Sequence, residues 1–382
     1  MKTQTVEKYT PASLVELAGL FLKLGVTGFG GPAAHIAMMQ NEVVAKRNWL
    51  NDQEFLDRVG AASFLPGPNS TEVAMYIGYH RHGLKGLVVA GVSFILPAAI
   101  IVSIIAFFYV HFQRITFIED ALYGIKPVMV TIILQALFAF KKIAIKNKKS
   151  YAILAFAFAL SIAGVNPLLV LAASGCISFL LHPNTDQKMF GLSAGGIGST
   201  LSIAGLYKFN LFSLFFFFLK IGSILFGSGY VLFAFLRNDL VENFKWMSES
   251  QLLDAAAIGQ FTPGPVFTAA TFIGYLLSGP SGAVVATVAI FLPAFIFVAI
   301  SAPHLSKIRN SSLIASILDG INIASLALMA VVVYQFTRSA VLDSITAFIA
   351  GVSIICLFKL RLNSTWLIIA GALVGILIPH SF

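Results

Sequence analysis

Two lysines stand deep inside otherwise apolar runs. Lys23 lies about ten residues into its stretch, roughly 15 Å along a helix at 1.5 Å per residue. Lys220 repeats it 197 residues later, in the same Phe-Leu-Lys-x-Gly setting. A cation buried in apolar surroundings is costly and is functional by default, although a lysine can also snorkel to an interface. Two ammonium groups near one axis suit a dianion better than a monoanion. A second device is the Pro-Gly-Pro turn, present as Pro66-Gly67-Pro68 and again as Pro263-Gly264-Pro265. Proline removes an amide donor and breaks a helix, and a helix restarting after the break points free amides at whatever lies ahead. The first turn is followed by Asn69-Ser70-Thr71-Glu72 and the second by Val266-Phe267-Thr268, so the polar chemistry is asymmetric. The expected anion site is Lys23, Lys220, Gly30, Gly31, Gly67, Asn69, Ser70, Thr71, Gly227, Gly264 and Thr268. Glu72 and His35, which the second half lacks, are candidates to carry a coupled proton.

What must position these residues is a membrane fold. Of the 382 residues, 58% are hydrophobic and 11% charged, against about 45–50% and about 25% in a soluble domain. Lipid is therefore the solvent for most of the chain, which excludes a soluble enzyme or a disordered scaffold. The net charge of +9 is the excess expected on cytoplasmic loops and carries no implication of nucleic acid. Cys176 and Cys356 sit in apolar runs outside any metal-ligand spacing; no metal, cofactor or catalytic group is expected. The N-terminus reads as no removable signal.

Six apolar stretches occur in each half, about 13–40, 59–79, 87–110, 121–140, 151–164 and 166–181, then 211–236, 252–277, 283–302, 313–336, 345–358 and 366–381. The last two of each half are short and read as helical hairpins. About a third of positions 21–71 are identical at a shift of 197, and the register continues at 196 through Ile77-Gly78-Tyr79 on Ile273-Gly274-Tyr275 and Pro97 on Pro293. The protein is a fused duplication, with a first repeat at 1–181, a linker at 182–210 and a second repeat at 211–382. Positive loops in one half (Arg81 to Lys85, Lys141 to Lys149) match uncharged or neutralised loops in the other, whose own positive loops are Lys307 to Arg309 and Lys359 to Arg361. Under the positive-inside rule the halves are inverted. The fold expected is an all-α polytopic membrane protein of two inverted repeats of five to six segments. One stretch in each half fails to cross, the best candidates being the first two, which the Gly/Pro motifs Gly28 to Pro32 and Leu65 to Pro68 make broken or re-entrant; five crossings per half remain. Asp319 and Lys126, at related depths, read as a structural ion pair. Trp49, Trp246, Asp57 and Asp254 read as interfacial anchors and caps.

These motifs resemble the chromate ion transporter family. The likeness rests on Phe29-Gly30-Gly31-Pro32-x-Ala34-His35, Arg47-x-Trp49-Leu50, Leu65-Pro66-Gly67-Pro68-Asn69-Ser70-Thr71, Tyr76-Ile77-Gly78-Tyr79 and Phe94-x-Leu96-Pro97. In the second half it rests on Phe226-Gly227-x-Gly229-Tyr230-Val231, Gln260-x-Thr262-Pro263-Gly264-Pro265 and Phe272-x-Gly274-Tyr275. The resemblance implies a two-domain carrier moving the chromate dianion across the inner (plasma) membrane, by efflux that confers resistance, with sulfate the look-alike substrate and a homodimer possible. The family motif often has Gln where Glu72 stands. No P-loop occurs, so energy comes from a gradient or exchange. An intramembrane lipid pyrophosphate phosphatase is a remote alternative, disfavoured because phosphoryl chemistry wants arginine clamps or carboxylate pairs that the apolar stretches lack.

Overall fold

A computed structural model of the chain describes residues 13–111, 116–181, 209–226, 229–304, 312–360 and 362–377. Gly227, most of the expected linker (182–208), the loop Lys307 to Arg309 and Arg361 lie outside them. Every regular element among the described residues is helical. The first copy begins with α1 (Leu14–Thr27), capped by Ser13, whose side chain accepts from the Glu16 amide at 3.1 Å. After a break at 28–30, α2 (Gly31–Gln40) runs on into a π-helical segment, Asn41–Lys46. A loop through Trp49 leads to α3 (Asp52–Ala62), closed by an Asn51/Glu54 capping box. Beyond the Pro-Gly-Pro break, α4 (Asn69–His111) reverses at His82 and Gly83, the latter at φ +56°. The reversal brings Gly78 against Gly86, where a Cβ on Gly78 would stand 2.2 Å from the Gly86 carbonyl oxygen. Two antiparallel arms result, 69–81 and 84–111.

The copy continues with α5 (Thr116–Ala144), α6 (Lys148–Ile162) and α7 (Pro167–Leu180). The second copy repeats the sequence of elements: α8 (Leu211–Ile224), a 3-10 turn at Gly229–Val231 leading into α9 (Leu232–Leu236), a π segment Arg237–Asn243, and α10 (Glu249–Phe261). A second 3-10 turn, Val266–Thr268, enters α11 (Ala269–Ser301), which reverses at Ser278 and Gly279. Then come α12 (Ser312–Ala340), α13 (Ser344–Phe358) and α14 (Ser364–Leu377).

Both leading stretches of the first copy turn back. Glu16 at the start of α1 lies 3.7 Å from Arg47 beyond α2, so the two helices are arms of one hairpin. The 69–81 arm likewise returns to where α3 starts, with the Arg81 guanidinium 5.4 Å over the Trp49 ring. Arms of 13 or 14 residues span about 20 Å, short of a hydrocarbon core of about 30 Å. Both leading stretches of the first copy are thus re-entrant, where one stretch per half was expected not to cross. Among the described residues four helices are long and apolar enough to cross, by length and composition: Asn69–His111 and Val266–His304, each through the arm beyond its reversal, Asp120–Ala144 and Ala315–Ala340. The short pairs α6/α7 and α13/α14 pack as hairpins.

The copies are antiparallel. Tyr123, near the start of α5, donates to Asp343 Oδ2 at 2.6 Å, whereas Lys146, past its end, reaches Asp319 Oδ1 at 2.6 Å. Loops 141–149 and 338–343, equivalent by the repeat, thus sit at opposite ends of α5. The copies are also intertwined. Helix α5 packs on α13 and α14 of the second copy, and α12 on α6 and α7 of the first. A second body forms from α1 on α4, α8 on α11, and α4 on α11. The re-entrant tips lie between the two bodies.

Candidate functional site

Four broken-helix tips meet at one cavity. The Gly67 amide donates to Leu225 O and the Gly264 amide to Gly28 O, both at 2.8 Å. Each pair is the other shifted by 197, so each Pro-Gly-Pro turn is tied to the first hairpin of the opposite copy. Gly67 sits at φ +141° and Gly264 at φ +93°, backbone that only glycine adopts without strain.

A cavity of about 450 Å³ opens at these tips. Five repeat-equivalent pairs line it: Pro32/Gly229, Ala33/Tyr230, Ser63/Gln260, Asn69/Val266 and Ser70/Phe267. Gly30 and Pro68 join them. The rest of the wall is one-sided, with α5 contributing from Ile132 to Ile143 and α12 only Asn322, plus Ser364 of α14. The cavity therefore extends about 16 Å along α5 towards Lys141 and Lys142. No charged side chain lines it. Its polar groups are neutral, and Gln260 offers a buried Nε2 with no hydrogen-bond partner among the described residues, its Oε1 accepting from Tyr230 at 3.2 Å.

Comparison with known proteins decides the family. The family model described as chromate transporter matches residues 15–179 and again 212–376. The chain belongs to the chromate transporter family. It is 31% identical to the chromate transport protein of Cupriavidus metallidurans over 97% of this chain and 94% of that protein. A probable chromate transport protein of Synechococcus elongatus is 28% identical over 96% and 95%, and the chromate transport protein of Pseudomonas aeruginosa 27% over 96% and 93%. No solved structure matches.

In this transporter the residues expected from sequence are distributed unevenly. Gly30, Asn69 and Ser70 line the cavity. A Cβ on Gly31 would lie 3.5 Å from the Tyr230 hydroxyl. Gly67 and Gly264 shape the tips, and Gly227 is outside the described residues. Thr268 is buried and donates to its own Pro265 O at 2.8 Å. Thr71 and Glu72 are fully buried, with the Thr71 hydroxyl and both Glu72 oxygens unpartnered among the described residues. The Glu72 carboxyl presses on Gly67, 2.5 Å from where a Cβ would stand. His35, also buried, joins the two tips of the first copy, its Nε2 2.9 Å from Gly28 O and its Nδ1 3.3 Å from Ser70 Oγ.

The lysines are not brought together and do not line the cavity. Lys23 pairs with Glu42 at 3.3 Å and Lys220 with Asp239 at 2.8 Å, their side chains 58% and 43% exposed. Glu42 and Asp239 are repeat mates, each on a π segment, and Glu42 also takes Lys46 and Arg47. Each pair fastens the two arms of a leading hairpin. This acid is what the sequence reading missed, although an acid at the same offset of 19 from each lysine was there to be read. Lys126 and Asp319 also take other partners than each other: Lys126 reaches Asp254 Oδ1 at 3.1 Å, and Asp319 reaches Lys146. Asn51 and Ser248 are the caps, and Asp254 is a buried ion-pair member instead.

Proposed function

We propose that this chain carries chromate across the inner membrane by alternating access at the midplane cavity, exporting it from the cytoplasm. One observation carries the reading. Four half-helices of opposite copies begin at one cavity, tied together by the exchanged Gly67–Leu225 and Gly264–Gly28 hydrogen bonds. Each helix N-terminus is equivalent to about half a positive charge, so four supply about two. That matches a dianion without a buried lysine. Asn69 adds a neutral donor to the wall, and Ser70 a hydroxyl whose direction His35 sets. At about 30 Å³ per water, the volume admits a tetrahedral oxyanion with part of its hydration shell. The open end lies beside Lys141 to Lys149, the side that the positive-inside rule assigns to the cytoplasm, from which an exporter loads.

Coupling to protons is part of the proposal, and His35 supplies a route. A carbonyl only accepts, so Nε2 carries a hydrogen towards Gly28 O; neutral His35 then accepts a hydrogen bond from the Ser70 hydroxyl at Nδ1. Protonated His35 donates to Ser70 instead and frees that hydroxyl to face the anion. One proton thereby adds one donor to the cavity. Glu72 exchanges a proton only when water reaches its tip. Sulfate has the same charge and shape and is the alternative substrate. The test is flux into proteoliposomes of chromate, sulfate, molybdate and phosphate under imposed pH gradients, for wild type, Ser70→Ala and His35→Leu. Chromate flux that responds to the gradient and is lost in Ser70→Ala is expected. Flux unaffected by Ser70→Ala contradicts the site, and greater flux of sulfate than chromate reassigns the substrate.

A further inference from the structure

The two copies differ in one respect that their sequences do not demand: one is open and the other closed. In the first copy the cavity separates α5 from the tips at Gly30 to Ala33 and Pro68 to Ser70. In the second, α12 packs directly on the segment 229–236, with the Phe336 ring 6.2 Å from Phe233 and the Ser325 hydroxyl 3.4 Å from Phe226 O. Phe336 is fully buried, while its repeat mate Phe140 lines the cavity. Equivalent helices follow suit. Eight consecutive residues of α10, Leu252 to Gly259, are buried, whereas α3 buries only Phe55, Ala61 and Ala62.

Below the closed floor lies a charged cluster. Lys126 of α5 reaches Asp254 Oδ1 at 3.1 Å and Ser250 Oγ at 2.8 Å, and Tyr109 donates to Asp254 Oδ2 at 2.9 Å. Lys126 is six residues from Ile132 and Asp254 six from Gln260, so both stand about 9 Å beneath the cavity, on the side away from its opening. The pair joins α5 of one body to α10, which packs on α11 of the other. Position 126 corresponds to 322 by the repeat, and Asn322 is the α12 residue that lines the cavity now.

We propose that Lys126 is the anion-facing cation of the opposite-open state, held by Asp254 as the closed gate of this one. The inference rests on the alternating-access reading above. In an inverted duplication the second state arises when the copies exchange conformations. Position 126 then takes the place that Asn322 occupies, at the wall of a cavity opening to the other face, and the bond to Asp254 breaks. The site consequently meets its anion with a lysine from one face and an asparagine from the other. Affinity for a dianion is higher on the face opposite the lysine-rich loops.

The test uses Lys126→Asn, which makes position 126 identical to its mate. Right-side-out and inside-out vesicles give half-saturation for chromate from each face. A hydrogen bond to a charged group contributes about tenfold or more in affinity. Measured against Asp254→Asn, which breaks the same bond but keeps the cation, Lys126→Asn is expected to raise half-saturation at least about tenfold on the face opposite the lysine loops and to leave the other face within twofold. Lys126→Asn/Asp254→Asn, which leaves no unpaired buried acid, should do the same. Asp254→Asn alone should increase labelling of a cysteine at Ser339 by an impermeant maleimide and decrease it at Ile143, in a background lacking Cys176 and Cys356. Equal changes on both faces, or no change in either measurement, overturn the proposal. Ser70→Ala is the control: if it transports normally, the cavity reading itself has failed, and if it is inactive while the Lys126 results are null, only the gate inference has.

Discussion

Gly264→Ala is the most demanding perturbation of the tip arrangement. Two costs follow from its position. At φ +93° an alanine adopts a conformation that disfavours a side chain, at about 1–2 kcal/mol. Its Cβ would also stand 2.5 Å from the Ala98 Cβ, where about 3.5–4.0 Å is comfortable. Ala98 sits on the long arm of α4 and cannot swing aside, so the turn must retreat by about 1 Å or more. That retreat breaks the Gly264–Gly28 hydrogen bond, removing a further 0.5–1.5 kcal/mol or about that. Together these come to about 1.5–3.5 kcal/mol, a factor of about ten to a few hundred in the equilibrium constant for assembling the tip. Chromate flux per molecule in proteoliposomes should fall below wild type by up to that factor. Gly351→Ala, where no atom lies within 4 Å of the added carbon, should transport normally. Ala98→Gly added to Gly264→Ala removes the clash, leaving the Ala98 Cα at 3.8 Å, and should recover much of the flux. Normal transport by Gly264→Ala alone, or no recovery in the double variant, refutes the claim that this contact holds the site.

Other outcomes follow from the same geometry. Gly78→Ala and Gly274→Ala put a Cβ 2.2 Å from a backbone carbonyl across the helix reversal, and neither should yield folded protein in the membrane; normal abundance of either contradicts the hairpin. Replacing Lys23 or Lys220 by Met should lower the thermal midpoint in detergent through loss of the arm-to-arm pair, a contribution of about 0.2–1 kcal/mol for pairs as exposed as these; an unchanged midpoint assigns the pair no structural weight. Asp343, held below the ordinary carboxylate range chiefly by the Thr346 amide and then by Tyr123, stabilises the α5–α13 contact above that range. The contribution is lost as pH falls through its depressed value, so wild type and Asp343→Asn should differ in midpoint at pH 7 and converge in strong acid. Impermeant labelling of cysteines at Lys85 and Ser281 should report opposite faces of the membrane, and same-face labelling rejects the inversion.

Much of this was legible in the chain. The duplication is written in identities at fixed shift, and the Gly-Pro breaks follow from the missing amide and the freedom of glycine. The loop charges state the inversion. The same breaks mark both leading stretches as broken or re-entrant, and the closure of Glu16 on Arg47 shows the first turning back. Three features were not legible. Lysine depth alone could not distinguish a substrate clamp from an ion pair, because the deciding acids lie 19 residues away in a π segment whose register no helical periodicity predicts. The exchange of α5 and α12 between copies is a long-range packing outcome, resting on approaches such as Gly124 to Gly371. Ser63 and Gln260 immediately precede the Pro-Gly-Pro segments and share a repeat position, which marks them only once the cavity is known.

The central claim is that the dianion is held by the four helix tips and not by the two lysines. Equilibrium binding of radiolabelled chromate to purified protein tests it most directly. Ser70→Ala and Asn69→Ala should each weaken binding about tenfold or more, while Lys23→Met/Lys220→Met binds within twofold of wild type. Loss of binding in the lysine variant with the tip variants unchanged would contradict the account.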